Sequence, residues 1–351
     1  MENFKYITTI EELEEAAKEW SGEKELAIDL ECENNLHHYG LKIALIQISS
    51  RIHHWIVDTL ALKDLKPLIK VLEDQKVMKV FHDVGFDFRI LKKELDCNPK
   101  NIFDTQIAAL FCRREEIGLG NLYEKELGLH QEKKFQTADW LKRPLSRDML
   151  SYATKDTAHL LQLKDKLVQE LEENKRIDWV KDEFKELEKK DYSYPETTYR
   201  DISGAKLLSG RELSILHALF DERERIAHKV DRPVFFVFNN KMLIDFAKSP
   251  PTVEDWKRMP RVHPQVHYEA ERLFKVIEQA KQLSETYPRS ERKFFSQKQK
   301  EELQKWEEIR KKVADKVGIK AHLILDKEEM IKIVIEGNLN GLSGWKRELL
   351  R

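Results

Sequence analysis

The sequence predicts an α/β domain, a mixed five-stranded sheet with helices on its faces, followed by all-α helical bundles. Three observations carry that prediction. Short β-rich runs alternate with helical periodicity over the first hundred residues. Beyond Ile177 no strand signal of any length returns, apart from the ambiguous run at 234–238. A chain of 351 residues also exceeds what one hydrophobic core usually sustains, so two or three domains are expected.

Residues 25–32 contain Leu26, Ala27 and Ile28 ahead of an acidic end and read as the first strand. Residues 41–49 and 53–60 read as the second and third, and their short connections favour antiparallel neighbours. Apolar residues at helical spacing follow over 62–72, then a buried strand at 77–81 and a second helix through Leu95. With a fifth strand at 101–103, helical crossovers favour parallel pairing of the first, fourth and fifth strands. From 146 to 174 the pattern is one long helix, with Ser146 and Asp148 as start signals. The segment 191–199, with Tyr192, Tyr194 and Pro195, breaks the helical pattern as a linker does. A helical block then runs over about 209–283 and another from about 290 to the end. The expected division is 1–190, a linker at 191–208, 209–288, and 289–351.

Hydrophobic residues make up 41% and charged residues 36% of the chain, a globular composition with a heavily solvated surface. No stretch approaches the roughly 18 apolar residues of a membrane span, and Met1 to Ile10 lack a basic region followed by an apolar run. A cytoplasmic protein without membrane association is therefore expected. Cys32, Cys97 and Cys112 are odd in number and lack zinc-ligand spacing, so reduced structural thiols are expected and zinc is not indicated. Residues 1–175 carry 26 Lys and Arg against 32 Asp and Glu, the remainder 36 against 31. An acidic front suits cations and a mildly basic rear suits a polyanion, while two ordinary solvated surfaces fit the same numbers.

Asp29 and Glu31 stand two apart at the end of the first strand, so alternation aims both carboxylates at one face. Like charges placed side by side there are costly without a cation between them. Asp87 follows the fourth strand and lies one turn inside a helix. Tyr152 and Asp156, four apart, share one face of the next long helix. Taken singly, each has a plainer explanation: surface carboxylates, a favourable charge in a helix's first turn, or interface decoration. Taken together, they are the trace of hard oxygen ligands for two divalent ions about 4 Å apart, the arrangement that serves phosphodiester hydrolysis.

The order strand D-x-E, strand-to-helix Asp and helical Y-x-x-x-D resembles the three motifs of the DEDD exonuclease superfamily, in its tyrosine-bearing subgroup. The closer resemblance is to the ribonuclease D family. It extends to Leu45-Ile46-Gln47, to Phe103-Asp104-Thr105-Gln106 with Ala108 and Ala109, and to the run from Thr137 to Leu145, within the first 165 or so residues. A ribonuclease H-like fold is implied. So are roles: Asp29 bridging both metals, Glu31 on the more deeply held ion, Asp87 acting largely through water, Asp156 as third-motif ligand, and Tyr152 orienting the attacking water. A phenol with a reference pKa near 10 suits orienting better than acting as a free base. His82 aligns with a family histidine near the substrate end, with a satisfied core histidine as the alternative, and Phe86 is assigned with it to substrate binding. Asp83 departs from the family pattern and receives no role.

The rear resembles an HRDC domain through Leu213, Leu216, Leu219, Phe220, Glu222 to Ala227, Val234 to Phe238, Leu243, Ile244, Met259 and Pro260. The block ending Gly341-Leu342-Ser343-Gly344-Trp345-Lys346 resembles the second, divergent HRDC-like domain of the same family. Lys229, Arg232, Lys241, Lys257, Arg258 and Arg261 are candidate phosphate contacts or simply solvated charges. The resemblance implies a magnesium- or manganese-dependent 3′-5′ exoribonuclease that releases nucleoside 5′-monophosphates from structured RNA such as tRNA precursors; the oligomeric state is left open, with a monomer favoured. Two alternatives stand beside it. One is a DNA 3′-end exonuclease of the same superfamily, although no G-x-x-x-x-G-K-[ST] motor motif is present. The other is a catalytically silent RNA-binding adaptor.

Overall fold

A computed structural model describes residues 3–131, 134–287 and 295–351. The strands are β1 (Phe4–Ile7), β2 (Glu25–Asn34), β3 (Leu41–Ser49), β4 (His54–Asp58), β5 (Met78–Phe81) and β6 (Ile102–Asp104). The front helices are α1 (Ile10–Ser21), α2 (Lys66–Glu73), α3 (Val84–Leu95), α4 (Thr105–Phe111), α5 (Leu119–Leu122), α6 (Arg147–Ala158), α7 (Leu160–Glu173) and α8 (Ile177–Leu187). The chain forms two compact units, residues 32–42 and 195–292 making the second and the rest the first.

In the first unit the strands lie in the order β1-β4-β3-β2-β5-β6. The sheet has six strands rather than the expected five. Phe4–Ile7 adds an edge, pairing with β4 in parallel from Phe4 opposite His54 to Ile7 opposite Val57. Four residues, Phe4 to Ile7 with an outward Lys5, are too short to announce themselves as a strand, and a charged side chain on an edge discourages further pairing. As expected, β5 runs parallel to both β2 and β6, and β3 is antiparallel to β4. The sheet core is mostly apolar, with Leu26, Ala27, Ala44, Leu45, Ile46, Ile56, Val57, Val80 and Phe81 fully buried, alongside the equally buried polar Gln47 and Lys79. The helix expected over 146–174 is broken at His159, which leaves helical geometry between α6 and α7. There the Tyr123 hydroxyl donates to the Asp156 carbonyl at 2.8 Å, an acceptor that an unbroken helix would offer to Leu160.

The last block also belongs to the first unit, as α15 (Gln297–Val317), α16 (Ala321–Ile324), α17 (Lys327–Glu336) and α18 (Gly344–Leu350), numbered after the helices of the second unit. It packs on α8: Trp345 stacks on Trp179 at 5.0 Å and donates to Glu183 at 2.8 Å. Arg176 donates to the Val317 carbonyl at 2.6 Å. The expected boundary at 288/289 lies outside the described residues.

The second unit is helical: α9 (Gly210–Val230), α10 (Val234–Val237), α11 (Asn240–Lys248), α12 (Val253–Arg258), α13 (Pro264–Tyr268) and α14 (Ala270–Ala280). Ser209 and Glu212 close a reciprocal cap at the start of α9. The ambiguous run at 234–238 is helix α10 ending in an extended Phe238, whose side chain is fully buried. Tyr199, Ile202, Ala205 and Leu208, within the expected linker, belong to this unit's core together with Leu216, Leu219 and Trp256.

Candidate active site

Three elements of the first unit meet at one acidic corner. β2 presents Asp29 and Glu31, alternation putting both on the same side of the sheet, and α6 presents Asp156. One carboxylate oxygen from each of the three lies within 4.8 Å of the others. Asp87, in the first turn of α3, stands outside this tight set but close enough for its charge to act on Glu31 and for that of Asp29 to act on it.

The electrostatics are those of carboxylates facing one another. Burial pushes Asp29 up to about 7 despite a backbone hydrogen bond from Leu30. Glu31 is raised well above the carboxylate range by burial and then by Asp29, Asp156 and Asp87. Burial and Asp29 do the same to Asp156, and burial with Asp29, Asp83 and Asp104 to Asp87. Among the described residues, the charges that shift these groups are all negative, so protonation or a cation must relieve the repulsion. Closely grouped hard oxygen donors of this kind fit a divalent ion that takes oxygen ligands.

Tyr152 stands one helical turn before Asp156, its ring packed between Phe135 at 5.6 Å and Trp140 at 6.3 Å. Burial, then the charges of Asp156, Glu31 and Asp29, push its phenol up to about 12. It is therefore a hydrogen-bond donor at neutral pH. Asp29, Glu31 and Asp156, but not Asp87, open onto a cleft of about 530 Å³ lined also by Gly118, Asn121, Glu124, His130 and Gln136.

The remaining expected residues lie elsewhere. His82 is partly buried, bonds Thr105 through Nδ1 at 2.9 Å, and is held down to about 4 by burial, so its ring is neutral. Phe86 is 44% exposed on α3. Neither is among the residues lining the cleft. Sequence reasoning missed Gln131, whose side-chain amide donates to Asp156, and Tyr123, which holds the Asp156 carbonyl. Gln131 sits in irregular chain with no periodicity to flag it. Tyr123 lies in a single π-helical turn, Tyr123–Leu127, a feature often found at functional sites, but its short run gives no distinct pattern.

Comparison with known proteins agrees with this geometry. A family model described as a 3′-5′ exonuclease matches residues 4–172, and an HRDC domain model matches 212–277. The chain is 27% identical to ribonuclease D of Pseudomonas paraeruginosa over 349 residues, covering 96% of this chain and 92% of that one. It is 33% identical to exosome complex component 10 of Mus musculus over 259 residues, 70% of this chain but only 29% of the mouse protein. Its fold is similar to the crystal structure of Escherichia coli RNase D, described as an exoribonuclease involved in structured RNA processing. That likeness has a TM-score of 0.73 at 24% identity and covers 99% of this chain and 96% of the other.

Proposed function

The chain belongs to the ribonuclease D family of 3′-5′ exonucleases, and on that premise we propose that it shortens structured RNA, tRNA precursors among them, from the 3′ end in the cytoplasm. Asp29, Glu31, Asp87 and Asp156 are the residues that would hold divalent cations, two of them, magnesium or manganese. The observation that carries this reading is the convergence of Asp29, Glu31 and Asp156 oxygens within 4.8 Å. When bound, such ions supply Lewis-acid stabilisation of the charge that builds on a phosphate in attack.

The chain's own residues do the rest. Asp29 and Glu31 are fixed by β2 and Asp156 by α6, so the carboxylates are arranged before substrate arrives. Tyr152, protonated and braced by two aromatic rings, donates a hydrogen bond that orients the attacking water; it does not abstract a proton. The domain assignment that accompanies this reading is an exonuclease domain at 1–190, a linker at 191–208, an HRDC domain at 209–288 and a divergent HRDC-like domain at 289–351.

The test is digestion of an end-labelled tRNA precursor and a matched DNA strand, with and without chelator, by the wild-type chain and by Asp29→Ala. Release of 5′-monophosphates from the RNA, abolished by chelator and by the substitution, is the expected result. Preference for DNA would move the assignment to a DNA exonuclease, and RNA binding without hydrolysis across several divalent metals would make the chain an adaptor.

A further inference from the structure

Asp87 reaches the acidic corner from the start of α3, and that start lacks a cap of its own. Its N-cap residue, Asp83, sits in the left-handed region at φ 63° and makes no capping bond with its side chain. A helix N-terminus left this way has unsatisfied N–H groups and frays. The missing acceptor comes from another strand. Asp104, at the end of β6 and only 2% exposed, takes the Val84 N–H at 2.9 Å and the Asp83 N–H at 3.3 Å. The same carboxylate caps α4, accepting from Gln106 at 2.7 Å and Ile107 at 3.1 Å. Next to it, the Thr105 hydroxyl donates to the Phe81 carbonyl at 3.0 Å and meets His82 Nδ1 at 2.9 Å. Two consecutive residues of β6 and α4 thus grip the β5–α3 junction at four consecutive positions, 81–84, one turn ahead of Asp87.

We propose that Asp104 and Thr105 are positioning residues that fix Asp87 for cation binding by tying the β5–α3 junction to the β6–α4 junction. The proposal rests on reading the acidic corner as a cation site. A buried carboxylate that satisfies four N–H groups from two helices does more than cap either. Moving it would let the first turn of α3 fray and carry Asp87 away from Asp29. Both carboxylate oxygens accept backbone N–H groups, and Asn would put an NH₂ donor in place of one of them, so it is a poor replacement. Thr105 matters because it adds an uncharged hold on the same junction, which separates geometry from local charge.

The experiment is a calorimetric titration of Mn²⁺ into the full-length wild-type protein and into Asp104→Asn and Thr105→Val, with amide hydrogen exchange followed over 83–87 and 106–107. The expected result is Mn²⁺ binding weakened about tenfold or more in Asp104→Asn and about threefold in Thr105→Val, with faster exchange at 83–87 in both. Trp345→Ala is the control for general destabilisation, and its Mn²⁺ affinity should match wild type. Wild-type binding with unchanged affinity in Thr105→Val overturns the proposal, and this variant decides the matter if Asp104→Asn does not fold. Absence of Mn²⁺ binding to wild type overturns the underlying reading of the acidic corner instead.

Discussion

Asp29 on β2 and Asp156 on α6, far apart in the first unit's sequence, bring carboxylate oxygens within 4.8 Å of each other and of Glu31. Asp29 raises the affinity of Glu31 and Asp156 for protons and Asp156 raises that of Glu31, and among the described residues no basic side chain is among the charges shifting them. That relationship decides how the protein responds to substitution, pH and cations.

Replacing Asp29 by Asn removes one buried like charge while keeping shape. The ion-free protein should gain about 1–2 kcal/mol, read as a melting temperature about 2–4 °C higher at pH 8 in chelator. Hydrolysis should fall at least a thousandfold. A lower melting temperature in chelator would mean that Asp29 is stabilised by its surroundings, against the electrostatics described above.

Stability without cations should depend on pH in a definite direction. Folding raises Asp29 from its ordinary value near 3.8 to about 7, so the native state holds protons that the unfolded state has released between those limits. Stability is therefore greatest from this source below about 4 and is lost as pH rises through 7. Thermal melts in chelator should give a higher midpoint at pH 5.5 than at pH 8, and millimolar Mn²⁺ should recover the loss at pH 8. A midpoint that rises with pH in chelator would contradict this.

Tyr152→Phe keeps the ring between Phe135 and Trp140 and deletes only the hydroxyl. Turnover should drop about a hundredfold. The Mn²⁺ affinity and melting temperature should stay close to wild type. Unchanged turnover in the variant would remove Tyr152 from the mechanism.

Much of this corner was legible in sequence because its residues obey simple periods. Asp29 and Glu31 share a strand face by alternation, and Tyr152 and Asp156 share a helix face at a spacing of four. Gln131 and the cleft residues Gly118 and Gln136 come from irregular chain, and Asn121 from the single turn of α5, where no period exists to read. β1 escaped notice because a four-residue edge strand with a lysine carries too little apolar pattern. The break at His159 is a tertiary effect, set by a hydroxyl from Tyr123 that helical periodicity does not register. The placement of α18 against α8 rests on the Trp179–Trp345 stack, a contact between residues far apart in sequence.

That stack makes the last block part of the catalytic unit's stability. Trp345 is 3% exposed and also donates to Glu183, so Trp345→Ala should cost about 3–5 kcal/mol and lower the melting temperature of the first unit. Limited proteolysis should then cut between α15 and α18. A neutral substitution would show that the block is an appendage.

Arg143 grips the 3%-exposed Asp58 with two bonds of 2.7 Å, and the Tyr6 hydroxyl bonds the same carboxylate. Arg143→Ala leaves that charge without its cation and should cost about 3 kcal/mol, with Mn²⁺ affinity little changed. Equal losses of stability and of Mn²⁺ affinity would instead tie this pair to the acidic corner.

Crystals soaked in Mn²⁺ and measured at the manganese absorption edge test the reading of the acidic corner most directly. Two anomalous peaks are expected about 4 Å apart, within about 2.2 Å of carboxylate oxygens of Asp29, Glu31 and Asp156, with Asp87 facing one of them directly or through water. Anomalous density elsewhere on the molecule, with none among these carboxylates, would contradict it.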